Sequence, residues 1–202
     1  MSKIKIRASH LFSPMLICIL LATIALTCLM AYQLFMNKCL WWSCAPNRDF
    51  TVFDLNLPAE FFPNATETPL LKQDRGIIDA IEEARGASNW VGGGAVYIVY
   101  RFATESQAER WFQLRAKKNF FTDQLENTNV MYSDVLIYQS QVADTYIVQC
   151  GYVVDRTSCI YLAQYKEYYI FFNGYISETG LSVKNYLGVL NFIDNKMLEL
   201  LY

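Results

Sequence analysis

Residues 145–176 decide the fold of this chain, and they read TYIVQCGYVVDRTSCIYLAQYKEYYIFFNGYI. Short polar breaks separate three apolar runs, at 145–154, 159–165 and 168–176, which is typical of consecutive antiparallel strands. The last run begins with five residues that are apolar on both faces, so we expect it to be a central, covered strand. Lys166 and Glu167 predict a tight turn before it.

The segments on either side of this region predict further strands and two helices. Residues 96–102 have the period-two pattern of a strand. Thr104 then begins a helix that runs to 118, because Thr104 and Gln107 have the spacing of a capping box. Residues 181–202 repeat apolar side chains at helical spacing and predict a long amphipathic helix. Together these elements predict an α+β fold, an antiparallel sheet packed with two main helices that lie mostly on one face.

Weaker patterns predict a few additional elements. We expect a short strand over 51–55, a short helix over 74–85 that ends at Gly86, and a strand over 130–138. The glycines at 92–94 lack the Lys-Ser/Thr of a phosphate-binding loop and predict a flexible lead into the next strand. Asn64-Ala-Thr66 matches the pattern of an N-glycosylation site.

An apolar segment without a charge, residues 11–36, precedes this domain. A helix over 15–36 would be roughly 33 Å long at ~1.5 Å per residue, which matches a hydrocarbon core of about 30 Å. Lys3, Lys5 and Arg7 precede it, so the positive-inside rule places the N-terminus in the cytoplasm. We therefore expect a cytoplasmic tail at 1–10, a single transmembrane helix at 11–36, a juxtamembrane linker at 37–48 and an exported α+β domain at 49–202.

Three other interpretations of this segment are less favoured. A cleaved signal peptide has a shorter apolar region and a small-x-small cleavage site, whereas in the best candidate, Leu29-Met30-Ala31, the bulky Leu29 stands where a small residue is needed. Lipidation of Cys28 would want a small residue before it, and Thr27 is there. A core helix of a soluble protein is disfavoured because the segment is apolar on every face. The lipid bilayer is accordingly the first predicted partner, through residues 11–36.

Charge and histidine content exclude several classes of function. The part beyond the anchor has 14 basic and 19 acidic residues, a formal charge of −5, so it lacks the basic footprint that nucleic-acid binding requires. The sole histidine, His10, precedes the anchor. The exported domain therefore has no imidazole for a Ser-His or Cys-His catalytic pair or for a His-containing metal site. We predict no catalytic residue, no metal and no cofactor.

Four cysteines lie beyond the anchor and are candidates for disulfides in an oxidising compartment. Of the three possible connectivities we favour the local one, Cys39 with Cys44 and Cys150 with Cys159. A turn centred between residues 154 and 155 would place Cys150 directly opposite Cys159. A four-residue loop over 155–158 would instead separate the two cysteines by about 13 Å along the strand, and they would then be two small buried side chains.

Four tyrosines on the same predicted hairpin are the candidate binding surface. Each shares a strand face with a cysteine, so the paired strands would form one aromatic surface for a sugar, a peptide or a partner protein. They are Tyr146, Tyr152, Tyr161 and Tyr165. The favoured alternative is that the two helices, 104–118 and 181–201, cover this surface.

These patterns favour a membrane-anchored extracytoplasmic binding or accessory module without enzymatic activity. It would be a subunit or partner of a membrane-associated complex, or a ligand sensor, so a protein partner is expected. The alternative is a carboxylate-dependent cell-surface hydrolase, for which two facing carboxyl groups in a cleft would be needed. Its candidate carboxylates are Glu105, Glu109, Asp134, Asp144 and Glu178.

Overall fold

The structure is a computed structural model that describes residues 14–62, 65, 71–73, 79–117, 136–153, 156–178 and 180–202, with only the backbone at 14, 15, 152 and 153. The predicted glycosylation site at Asn64 lies outside the described residues. The chain divides after Cys44 into two compact units.

The first unit is dominated by one long apolar helix, α1 (Pro14–Asn37). Its segment Leu16–Asn37 is 22 residues long, has a mean hydropathy of 2.1 and is not buried inside the protein. About 20 apolar residues suffice to span a bilayer as a helix. The predicted apolar N-terminal helix is confirmed, and by length and composition it can cross a membrane once.

A disulfide closes a small loop directly after α1. Cys39 and Cys44 are bonded, with 5.1 Å between their Cα atoms. Cys18 and Cys28, both within α1, are free and exposed. This is the first of the two local pairings expected from the sequence.

The second unit is built on a six-stranded antiparallel sheet. The strands are β1 (Lys72–Gln73), β2 (Ala80–Trp90), β3 (Gly93–Phe102), β4 (Thr145–Val153), β5 (Arg156–Tyr165) and β6 (Tyr168–Ile176), in the spatial order β1-β2-β3-β6-β5-β4. The strands predicted over 96–102, 145–154, 159–165 and 168–176 are confirmed. As expected from its apolar sequence, β6 is central, between β3 and β5.

The hairpin of β4 and β5 has the register that brings its two cysteines together. Cys150 lies directly opposite Cys159, and Val153 lies opposite Arg156. The two sulfurs form a disulfide with 4.1 Å between the Cα atoms. The structure therefore has both local disulfides, and the alternative four-residue loop is wrong.

Two helices pack on opposite faces of the sheet: α2 (Glu105–Ala116) and α3 (Val183–Leu201). Tyr161 of β5 belongs to the core that contains Ile193 of α3, whereas Leu162, the next residue, belongs to the core that contains Phe112 of α2. The prediction that the helices lie mostly on one face is therefore wrong. Because β5 and β6 are apolar on both sides, each face of the sheet needs its own cover.

Both helices begin at the residues that the sequence indicates. The Thr104 hydroxyl accepts a hydrogen bond from the Gln107 amide at 3.1 Å, and the Ser182 hydroxyl accepts one from the Asn185 amide at 3.1 Å. A side-chain oxygen at this position satisfies one of the free amides of the first helical turn. The two predicted helices are confirmed.

The predicted helix over 74–85 is wrong where the structure describes it. Residues 80–85 belong to β2, in which Ala84, Gly86 and Ser88 are buried and alternate with exposed neighbours. The small buried residues face the core. Hydrogen-bonded pairing with β3 along nearly the whole strand outweighs the helical spacing of the isoleucines in this segment. Residues 74–78 lie outside the described residues.

Two further predicted strands are wrong where the structure describes them. Val52–Leu55 forms a 3-10 helix that buries Val52 and Leu55. The Asp54 carboxylate accepts a hydrogen bond from the Thr51 amide at 2.8 Å. This local hydrogen bond stabilises the helical turn and competes with strand pairing. Residues 136–138 have no regular structure, and the rest of the strand predicted over 130–138 lies outside the described residues.

A buried group of ion pairs fixes the first residues of the second unit to the sheet. The Arg48 guanidinium binds both oxygens of Glu167 in the turn between β5 and β6, at 2.8 and 3.1 Å. Glu167 is fully buried, and this hydrogen bond raises the pKa of Arg48. Arg101 binds Glu82 at 2.8 Å and donates to the Pro46 carbonyl at 2.8 Å. Removing one partner of such a buried pair costs about 3–5 kcal/mol.

Candidate functional site

The predicted tyrosine surface lies on the face of the sheet that α3 covers. Tyr161 and Tyr165 are completely buried there, and Tyr146 is half-buried. Tyr152 lies opposite Thr157 at the far end of the hairpin, and its side chain is outside the described residues. Tyr146, Tyr161 and Tyr165 therefore share this face, and α3 closes it over Tyr161 and Tyr165.

The hydroxyl groups of this face converge on one carboxylate of α3, and we call this set the Asp194 cluster. Its members are Tyr138, Ser140, Tyr161, Tyr165 and Asp194. Tyr138 and Ser140 donate to Asp194 at 2.7 and 2.9 Å, and Tyr165 donates a further short hydrogen bond to it. The Tyr161 and Tyr165 hydroxyls lie 2.6 Å apart.

Protonation in this cluster is set by burial. Burial raises the pKa of the Tyr161 and Tyr165 hydroxyls, and the negative charge of Asp194 raises them further. Both tyrosines are therefore neutral hydrogen-bond donors at physiological pH. Asp194 is only 6% exposed, so the cluster ties the segment around Tyr138 to α3 and offers no room for a ligand.

The opposite face of the sheet carries an open pocket, which we call the α2-face pocket. Its volume is about 80 Å³, and it is lined by Ile98, Tyr100, Arg115, Tyr169 and Phe171. These residues come from β3, β6 and the last turn of α2. A volume of this size is well below that of ligand pockets, which span roughly 300–1,000 Å³. The pocket therefore suits one large side chain better than a whole cofactor.

Aromatic packing holds the walls of the pocket in place. Tyr100 and Tyr169 stack with their ring centres 5.9 Å apart, and Trp111 meets Tyr100 edge to face at 6.2 Å. Both tyrosines are buried, whereas Ile98 and Phe171 keep part of their surface exposed. The apolar surface that remains open is therefore rigid before any partner binds.

Arg115 supplies the positive charge of the pocket. Its guanidinium lies 5.0 Å from the centre of the Trp111 ring, a cation–π contact. It is close enough to Tyr169 to lower the pKa of that hydroxyl, against the larger rise that burial causes. Within the described part of the chain, no carboxylate forms an ion pair with Arg115. The guanidinium is thus held against the indole ring, and its charge is not balanced by a described carboxylate.

A row of side chains across the whole sheet extends the pocket, and we call it the basic–apolar row. Directly opposed residues of antiparallel strands point to the same face. The register therefore aligns Lys72, Arg85, Ile98, Phe171, Leu162 and Ile147. The row is basic and exposed at the β1 edge, apolar and half-buried at Ile98 and Phe171, and covered at Leu162.

The carboxylates proposed for a hydrolase do not meet in this pocket. Its lining contains none of them. Glu105 and Glu109 are exposed on α2, Glu178 is exposed after β6, and Asp144 pairs with Lys166 at 3.3 Å. Asp134 lies outside the described residues. No cluster of three or more potential metal ligands is present in the ranges that the structure covers.

The sequence pattern did not indicate the α2-face pocket. Arg115 looked like a solvated residue at the negative end of a helix, and Ile98 and Phe171 looked like ordinary strand residues. Their juxtaposition depends on the register of β3 with β6 and on the face that α2 chooses. Comparison of the chain with protein-family models, with curated proteins and with solved structures finds no match.

Proposed function

We propose that this chain is a membrane-anchored binding or accessory subunit whose folded unit lies on the extracytoplasmic side and holds a protein partner on the α2 side of its sheet. The proposal rests on unequal covering of the two faces. The 19-residue α3 and the Asp194 cluster close one face, whereas the 12-residue α2 leaves Ile98 and Phe171 partly exposed beside the pocket.

Three features support the membrane anchor and the compartment. α1 is long and apolar enough to cross a bilayer, and Lys3, Lys5 and Arg7 precede it, which favours a cytoplasmic N-terminus. Two disulfides follow it, and disulfides persist in oxidising compartments. The hydrolase alternative has no comparable support among the described residues.

Site-specific photo-crosslinking of the full chain in cells tests the proposal. A benzophenone amino acid is placed at Leu114, which is 54% exposed on α2, and as a control at Val91, which is 90% exposed in the turn between β2 and β3. We expect a discrete adduct of higher mass from Leu114 and none from Val91.

Protection of a C-terminal tag tests the compartment in the same cells. We expect the tag to be cleaved by protease added outside intact cells or spheroplasts. Equal crosslinking at Leu114 and Val91, or a tag that is reached only after the membrane is opened, would overturn the proposed function.

A further inference from the structure

We infer that the α2-face pocket recognises a protein segment in which a large apolar side chain, best an aromatic one, is flanked by carboxylates. This inference rests on the proposed function and specifies the chemistry of the partner. It follows from the shape of the pocket, from the charges around it and from the orientation of Arg115.

The size and lining of the pocket select the anchor side chain. A pocket of about 80 Å³ bounded by Ile98, Phe171 and the stacked pair Tyr100 and Tyr169 admits the end of one large apolar side chain and nothing bulkier. Aromatic residues are enriched as anchors of interfaces because they bury large areas with few rotatable bonds. The open mouth leaves the rest of the partner's segment outside, across the sheet.

The charges around the pocket indicate which residues flank the anchor side chain in the partner. Arg115 lines the pocket, and Arg85 and Lys72 follow Ile98 along the basic–apolar row. Glu83 lies opposite Tyr100 on the same face and is buried. Among the described residues around the pocket, three cations therefore stand beside one carboxylate. The part of the chain beyond the anchor has a net charge of −5, which makes this cationic site an exception to its surroundings. Acidic residues beside the anchor would complement it.

The stacking of Arg115 on Trp111 makes the guanidinium a good receptor for a carboxylate. A planar guanidinium held over an aromatic ring keeps the edge that donates hydrogen bonds free, and that edge fits a carboxylate in a bidentate manner. Little side-chain entropy remains to be lost when the carboxylate binds. Arg110 is on the same helix and is exposed, on the side of the helix opposite the buried Ala108. It therefore serves as a matched control.

Binding of short peptides to the full chain in detergent micelles tests the inference. The probe is acetyl-Gly-Glu-Phe-Glu-Gly-amide, and two matched peptides replace both glutamates by glutamine or the phenylalanine by alanine. The readout is the NMR signals of labelled isoleucine methyl groups, with Ile98 in the pocket and Ile193 buried beneath α3 as the internal control. We expect the Ile98 signal to shift and the Ile193 signal to stay.

The variants then separate recognition from general charge. Arg115→Gln should weaken binding of the Glu-Phe-Glu peptide at least about tenfold, and Arg110→Gln by less than about twofold. An unchanged Ile193 signal shows that each variant is folded. The inference is overturned if the glutamine peptide binds as well as the glutamate peptide, if the alanine peptide does, or if the two arginine variants behave alike.

The two proposals fail in distinguishable ways. If Leu114 crosslinks to a partner in cells while Arg115→Gln leaves both that adduct and peptide binding unchanged, the proposed function stands and the recognition chemistry is wrong. If no adduct forms at Leu114 but the peptide series behaves as expected, the pocket chemistry stands and the cellular role is wrong.

Discussion

Replacing Asp194 by asparagine should destabilise the folded unit strongly, although the two side chains have nearly the same shape. Asp194 accepts hydrogen bonds from Tyr138, Ser140 and Tyr165 in a site that is 6% exposed. A hydrogen bond to a charged group contributes about 1.5–3 kcal/mol. Asparagine keeps one acceptor oxygen, but its amide NH₂ group would face hydroxyl groups that donate to Asp194 in the native protein. Two donors would then face each other. We expect the free energy of unfolding to fall by about 2–4 kcal/mol.

Urea denaturation of the full chain in detergent measures this change, with the near-ultraviolet circular dichroism of the tyrosines as the signal. The slope of the transition should stay the same while its midpoint falls, and the melting temperature should drop by roughly 5–15 °C. Glu199→Gln is the matched control, because Glu199 lies on the same helix, is 67% exposed and pairs with Lys196 at 3.0 Å. Its cost should be below about 0.5 kcal/mol. If the two amide variants lose the same stability, the Asp194 cluster does not hold the segment around Tyr138 to α3.

Three further predictions concern the same unit. Alkaline titration should unfold the second unit cooperatively above about pH 10. Burial raises the folded-state pKa of several tyrosines, whereas their pKa in the unfolded chain stays near 10. These residues are Tyr97, Tyr161, Tyr165 and Tyr186. Each then lowers the free energy of unfolding by about 1.4 kcal/mol per pH unit, and tyrosinate absorbance that reaches its full amplitude before the loss of circular dichroism would contradict this. The double variant C150A/C159A removes a disulfide with a sequence separation of 9, and should cost about 2–3 kcal/mol in urea denaturation; an unchanged midpoint would show that hairpin register alone suffices. Gly180→Ala should cost at least about 1–3 kcal/mol, because its new Cβ would lie 2.0 Å from the Trp90 indole nitrogen; a neutral effect on the melting temperature would show that the indole moves aside.

The elements that could be predicted are those whose information is local. The runs that became β4, β5 and β6 are bounded by their own turn residues and are rich in β-branched and aromatic side chains. Thr104 begins α2 with a hydrogen bond that spans three residues of the chain. The Cys150–Cys159 disulfide belongs to the same class, since it depends only on the length of one hairpin turn.

The elements that could not be predicted depend on partners distant in the sequence. The stretch 74–85 has the apolar spacing of a helix when considered alone, and residues 80–85 become a strand because β3 pairs with them from Phe102 back to Ile98. The buried ion pair of Arg48 with Glu167 joins residues 119 positions apart, and neither residue has a local pattern that indicates the other. Charged residues next to turns are usually solvated, so sequence reasoning favours the wrong environment for both.

The location of the candidate site also depends on contacts between residues that are distant in the sequence. Sequence reasoning named the tyrosines of β4 and β5 as a candidate binding surface, because aromatic side chains that share a strand face imply a platform, but it favoured the alternative that helices cover them. A platform binds a partner only if the protein leaves it open, and α3 closes this one. The 19-residue α3 and the 3-10 helix Val52–Leu55 cover this face, whereas the 12-residue α2 leaves Ile98, Phe171 and Arg115 partly exposed on the other. A search for binding surfaces in such α+β units should therefore begin on the face under the shorter helix.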